Sequence, residues 1–149
     1  MRLVGGLLFL VTLAGCGESS TASPRPTDAP GTDGAATPVR VTLGLYSGRA
    51  DPAWTLTDAE AVALEATLAA LPTVAGVPPE GGLGYHGFTI ERPGGTLVAY
   101  RGVLAPPGQG RRALLSDPTR TVERLLLESA RPHITGNELT EVERALAAP

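Results

Sequence analysis

From residue 39 to residue 45 apolar and polar side chains alternate without a break. Val39, Val41, Leu43 and Leu45 fall on one side, and Arg40, Thr42 and Gly44 on the other. A period of two with one apolar row predicts a half-buried strand. The period then changes. Thr57-Asp58-Ala59-Glu60 is a capping box, in which the Thr57 hydroxyl accepts from the backbone of Glu60 while the Glu60 carboxylate reaches back. Ala61, Leu64, Leu68 and Leu71 follow at helical spacing, and Pro72 stops the helix.

Residues 72–84 are rich in Gly and Pro and read as a loop. Two alternating segments then flank Pro93-Gly94-Gly95. Taken as a three-residue hairpin loop, this sets Arg92 opposite Thr96, Ile90 opposite Val98 and Phe88 opposite Tyr100. Thr89 then faces Ala99 and Gly87 faces Arg101. One side of the hairpin is apolar and the other mostly polar, as expected of a sheet covered on one face. A second helix is expected to start near Ser116-Asp117-Pro118, with Val122, Leu125, Leu126 and Ser129 at helical spacing and an end at Pro132. A third is expected from about Glu138, with Leu139, Val142 and Leu146 as its stripe. The order β-α-β-β-α-α predicts an α+β domain: a small, mainly antiparallel sheet with helices packed on one face.

That domain occupies residues 39–149, and what precedes it has a different pattern. Met1 and Arg2 give a short positive start to an apolar run over residues 3–13, far below the roughly 20 residues that span a bilayer. Leu13-Ala14-Gly15-Cys16 follows, and it resembles the lipobox of bacterial lipoproteins. The resemblance implies a signal peptide over residues 1–15. It further implies that Cys16 becomes the N-terminus and carries a diacylglycerol thioether, usually with an acyl chain such as palmitate on its amine. Two or three chains anchor durably where one binds only marginally. Residues 17–38 contain no Val, Ile, Leu, Met or aromatic side chain, so residues 16–38 read as the lipidated cysteine and a disordered tether. Random-coil scaling gives its 22 linker residues a mean span of roughly 25 Å. The expected location is the extracytoplasmic face of a bacterial cell membrane.

Charge and cysteine content narrow the chemistry. Residues 39–149 carry ten Arg against twelve Asp plus Glu, which leaves no electrostatic footprint for nucleic acid. One cysteine excludes an internal disulfide, and with two His it supplies no recognisable metal set. No cofactor motif and no catalytic signature are found, so neither a cofactor nor an enzyme is expected. All twelve basic residues are Arg, which matches the coding bias of a GC-rich bacterial genome rather than a demand for guanidinium chemistry. Arg111-Arg112 beside Gly108-Gln109-Gly110 lacks the Lys-Ser/Thr of a phosphate loop and reads as an exposed turn.

The candidate functional loop is Tyr46-Ser47-Gly48-Arg49-Ala50-Asp51-Pro52-Ala53-Trp54. With Leu83-Gly84-Tyr85-His86-Gly87-Phe88 and Asp117-Pro118-Thr119-Arg120, it resembles a group of bacterial secreted and lipoprotein domains that share a Tyr-Ser-Gly-Arg-x-Asn/Asp-Pro-x-Trp stretch. The chain departs from that pattern at Ala50-Asp51, where Pro-Asn is common. The resemblance implies a compartment and a fold but no activity. Arg49 offers a planar fork for a carboxylate or phosphate, Trp54 a stacking face, and Tyr46 and Asp51 a polar rim. The same residues have a structural reading: Asp51-Pro52 as a turn, Trp54 as a core plug and Arg49 paired with a domain carboxylate. His86 is expected on the face of Phe88 and Ile90, as a satisfied side chain or part of the site. The leading expectation is a binding module for an unidentified small molecule or protein, with Tyr46, Arg49, Asp51, Trp54 and His86 as candidate contacts. The alternatives are an accessory subunit of an envelope complex, or a small hydrolase using His86 with Asp51 or Ser47.

Overall fold

The computed structural model describes residues 37–148; the expected signal peptide, Cys16 and nearly all of the tether lie outside the described residues. Seven strands and three helices form: β1 Arg40–Gly44, β2 Ala53–Thr55, α1 Asp58–Ala70, β3 Thr73–Gly76, β4 Gly87–Arg92, β5 Gly95–Tyr100, β6 Val103–Ala105, β7 Arg112–Ser116, α2 Thr121–Ala130 and α3 Gly136–Ala147. The strands make one sheet in the order β2-β1-β4-β5-β6-β7-β3, with every neighbouring pair antiparallel. The fold is α+β, with four strands more than the expected order contained. No helix among the described residues is long and apolar enough to cross a membrane.

The alternating row of β1 is buried throughout, and Leu64 and Leu68 of α1, Val122 and Leu126 of α2 and Val142 and Leu146 of α3 join it in one core with Phe88 and Ile90. The capping box at Thr57 forms as its spacing requires. Arg92, at the hairpin end of β4, ties α1 down through two contacts with Glu65, at 2.7 and 2.6 Å.

The hairpin between β4 and β5 forms in a different register from the expected one. Arg92 pairs with Gly95, Ile90 with Leu97, Thr89 with Val98 and Phe88 with Ala99. Pro93 and Gly94 alone make the turn, and Gly94 at φ 93° supplies the positive angle that the second position of a type II turn demands. Gly95 is therefore free to enter the strand, and β5 shifts by one residue. Val98 consequently alternates away from Ala99, whereas Tyr100, at the end of the strand, is buried in the core against Tyr85. The face that Val98 takes is not mostly polar: Val98, Val103 and Ala105 line a small cavity with Pro78, Pro79, Tyr100, Pro106 and Pro107.

The second helix also begins later than expected. Ser116 ends β7 and pairs with Val103. The N-cap position falls to Arg120, in the left-handed region at φ 55° and without a side-chain cap bond, while Asp117, three residues earlier, reaches the first turn with Oδ2 accepting from Val122 N at 2.8 Å. Arg112 is no free surface charge either. Its guanidinium donates to the carbonyls of Pro106, Pro107, Gln109 and Gly110 and so organises the 106–110 loop.

Candidate functional site

The 46–54 loop leaves β1 at the end of the sheet where β4 begins and β5 finishes. Asp51 folds it back: its Oδ1 accepts from Leu45 N at 3.0 Å and from Tyr46 N at 2.9 Å. By satisfying two consecutive amides five and six residues back along the chain, Asp51 closes the loop onto the end of β1 and acts as scaffold. Trp54 is scaffold as well. Its ring is buried, lies edge-on to Phe88 and stacks on His133 at 5.7 Å and 11°, and its Nε1 donates to the buried Ser129 Oγ at 3.1 Å. Trp54 is buried, and Asp51 Oδ1 is committed to the loop backbone.

Tyr46 and Arg49 remain at the surface, and Glu138 of α3 joins them. The Tyr46 hydroxyl donates to Glu138 Oε1, and Arg49 Nη2 reaches the same oxygen at 3.1 Å. The Arg49 guanidinium carbon lies 3.4 Å from the centre of the Tyr46 ring, a cation-π contact. Glu138 Oε2 meanwhile accepts from Thr135 N at 2.6 Å and completes a second capping box. The hydrogen bond from Tyr46, then the backbone bond from Thr135, hold the Glu138 carboxyl below the usual carboxylate range. The same carboxylate raises Tyr46 above the usual phenol value, so the hydroxyl stays a donor. Glu138 is 12% exposed and Arg49 63%, so one guanidinium edge is engaged and the other faces solvent. Leu45, Tyr46, Arg49, Gly84, Asn137, Glu138 and Glu141 surround a cleft of about 420 Å³.

His86 does not share the face of Phe88. Gly87 at φ 104° breaks the alternation between them. The imidazole sits where a side chain on Gly44 would stand, with a Cβ there meeting His86 Cδ2 at 2.5 Å. Gly44 alternates with Leu43, so the ring lies across the sheet from the helices. His86 Nδ1 is within 2.8 Å of Gly84 O, and Asp51 Oδ1 is occupied by its two amides. No Asp–His hydrogen bond forms among the described residues. No cluster of three metal-ligating side chains occurs among the described residues.

A second cavity of about 230 Å³ adjoins the first and shares Glu141 with it. Leu83, Tyr85, Tyr100, Arg101 and Arg120 line it. Below it lies Glu123 of α2, 1% exposed, whose Oε1 accepts from Tyr85 Oη at 3.3 Å and whose Oε2 is buried without a partner. Burial is the main cause that raises the Glu123 carboxyl above its ordinary value of 4.5; the backbone at Arg101 and the charge of Arg120 oppose the rise. A carboxyl pKa raised by folding contributes its full stability below the unfolded value and loses it as pH rises toward the folded one. Glu123→Gln is expected to melt above wild type by about 4–8 °C at pH 7–8, on the scale of removing a poorly compensated buried charge. Thermal unfolding at pH 4 should show the gap closing; a constant gap across pH would contradict this origin.

Of the loop residues singled out from the sequence, Tyr46 and Arg49 line the cleft, whereas Asp51 and Trp54 hold the loop and the core together. Glu138 was missed, although Thr135-Gly136-Asn137-Glu138 repeats the pattern that marked Thr57 and Glu60. Tyr85, Tyr100, Arg101 and Arg120 meet only through the pairing of β4, β5 and α2, which no local spacing reveals. No family model, no curated protein and no solved structure matches this chain.

Proposed function

We propose that this chain is a lipid-anchored extracytoplasmic binding module, held at a bacterial membrane through Cys16 and a tether, with its recognition surface at the sheet end bounded by α3. The observation that carries the reading is where the aromatic hydroxyls lie. The chain has three tyrosines, and Tyr46, Tyr85 and Tyr100 all line the two adjoining cavities. Arginines 49, 101 and 120 line them too. Tyrosine and arginine are the side chains most enriched where proteins recognise partners, because each offers area and directed hydrogen bonds together.

A protein partner has one further point in its favour. Leu83 beside the cavity is 94% exposed, and a subunit of an envelope complex would cover it. Placing a photo-crosslinking amino acid at Asn137, in the cleft, and separately at exposed Val62 on α1 tests the reading in cells. The expected result is a discrete adduct from position 137 and none from position 62. Equal labelling at both, or none at either, would count against a recognition surface at this end of the sheet.

A further inference from the structure

Arg101 and Arg120 are the two non-glycine residues with positive φ among the described residues, at 50° and 55°, and both line the second cavity. A left-handed backbone disfavours any residue with a Cβ, by about 1 kcal/mol or more, and such strain gathers where a side chain must be presented in one direction. The two strained positions are also bound to each other. Arg101 and Gly102 form the two-residue turn from β5 to β6, Gly102 O accepts from Asp117 N at 2.7 Å, and Asp117 O accepts from Arg120 N at 2.8 Å. A Cβ on Gly102 would come within 2.6 Å of Asp117 O, so the two turns are in close contact. The roots of both arginines are thus fixed relative to one another before any ligand arrives.

Among the described residues neither Arg101 nor Arg120 forms an ion pair; Arg120 Nη1 instead donates to Ala145 O at 2.9 Å and Leu146 O at 3.3 Å, leaving its other nitrogens uncommitted. The acid on the cavity wall, Glu141, is paired with Arg144 at 2.6 Å. Tyr100 Oη has no hydrogen-bond partner among the described residues and adds a donor beside the Arg101 guanidinium, which sits 5.2 Å from its ring centre. The buried Glu123 carboxyl is near enough to feel the Arg120 charge but is hydrogen-bonded to Tyr85 instead. Two preset forks that form no ion pair offer more directed donors than a single planar carboxylate needs, and they suit a tetrahedral anion.

We propose that the cavity between Tyr85, Tyr100, Arg101 and Arg120 is a phosphate-binding site, taking either free phosphate or the phosphate of a lipid headgroup. The proposal rests on the binding-module reading and names its ligand class. The test uses the full chain purified in detergent, titrated with inorganic phosphate against sodium chloride of equal ionic strength, with the melting midpoint and calorimetric binding as readouts. Wild type should be stabilised by phosphate and not by chloride. Arg101→Gly keeps the left-handed turn and relieves its strain, so it should melt about 2–4 °C above wild type without ligand. It should also bind phosphate at least tenfold more weakly. That opposite movement of stability and affinity is what a merely structural arginine would not give. Glycerol 3-phosphate binding at least tenfold tighter than phosphate would identify a headgroup as the source, and equal or weaker binding would identify free phosphate; either supports the site. An equal response to phosphate and chloride, or an Arg101→Gly variant that keeps its phosphate response, would overturn it. In that event a retained crosslink at Asn137 would leave the binding module standing without this ligand.

Discussion

Trp54→Ala should destabilise the domain by about 3–5 kcal/mol, the range for deleting a buried aromatic from a packed core. For a domain of this size that lowers the melting midpoint by more than about 10 °C. Three contacts are lost together: the edge of Phe88, the stacked His133 ring and the hydrogen bond to Ser129 Oγ. Ser129 would keep its bond to Leu126 O at 2.8 Å, so the hydroxyl is not wholly orphaned. Trp54→Phe should recover most of the loss, because the ring is restored and only the N–H donor is missing. Circular dichroism is the suitable probe, since Trp54 is the sole tryptophan. An alanine variant that melts within a few degrees of wild type would mean the indole is not part of the core and is available to a ligand.

The contrast between Trp54 and Arg49 illustrates how far the sequence could be read. Strict alternation over residues 39–45, the capping box at Thr57 and the apolar stripes of the helices were legible because each is a local pattern. β2 and β6 have three residues each, too few for alternation to register, and β3 lies in a stretch dominated by Gly and Pro. The hairpin register turned on one glycine: Gly95 serves the strand, not the turn, and every pair across β4 and β5 moves with it. The site was legible only as a loop. Which of its members face inward depended on Ser129, His133 and Glu138, 75 or more residues away along the chain.

Cys16→Ser should abolish lipidation altogether. A diacylglycerol thioether would place two acyl chains in the bilayer, each CH₂ contributing about 0.8 kcal/mol, and no helix among the described residues is long and apolar enough to cross a membrane. Cells fed labelled palmitate should mark the wild-type chain and leave the serine variant unlabelled, and the variant should no longer partition with the detergent phase. Labelling of Cys16→Ser equal to wild type would show that the acyl chains sit elsewhere and would remove the anchor from the proposal.

The sharpest question is whether Arg49 belongs to the scaffold or to the recognition surface. Its ion pair with Glu138 is solvent-exposed on the arginine side, and exposed pairs contribute about 0–1 kcal/mol. Glu138 retains Tyr46 and Thr135 when Arg49 is removed, so no buried carboxylate is stranded. The decisive measurement is the thermal unfolding of the full chain as wild type and Arg49→Ala, read by Trp54 fluorescence. A midpoint within about 4–8 °C of wild type is the expected result and leaves the guanidinium free to serve a ligand. A loss of about 3–5 kcal/mol, the size expected when a buried pair is broken, would make Arg49 part of the fold and would contradict its place in the recognition surface.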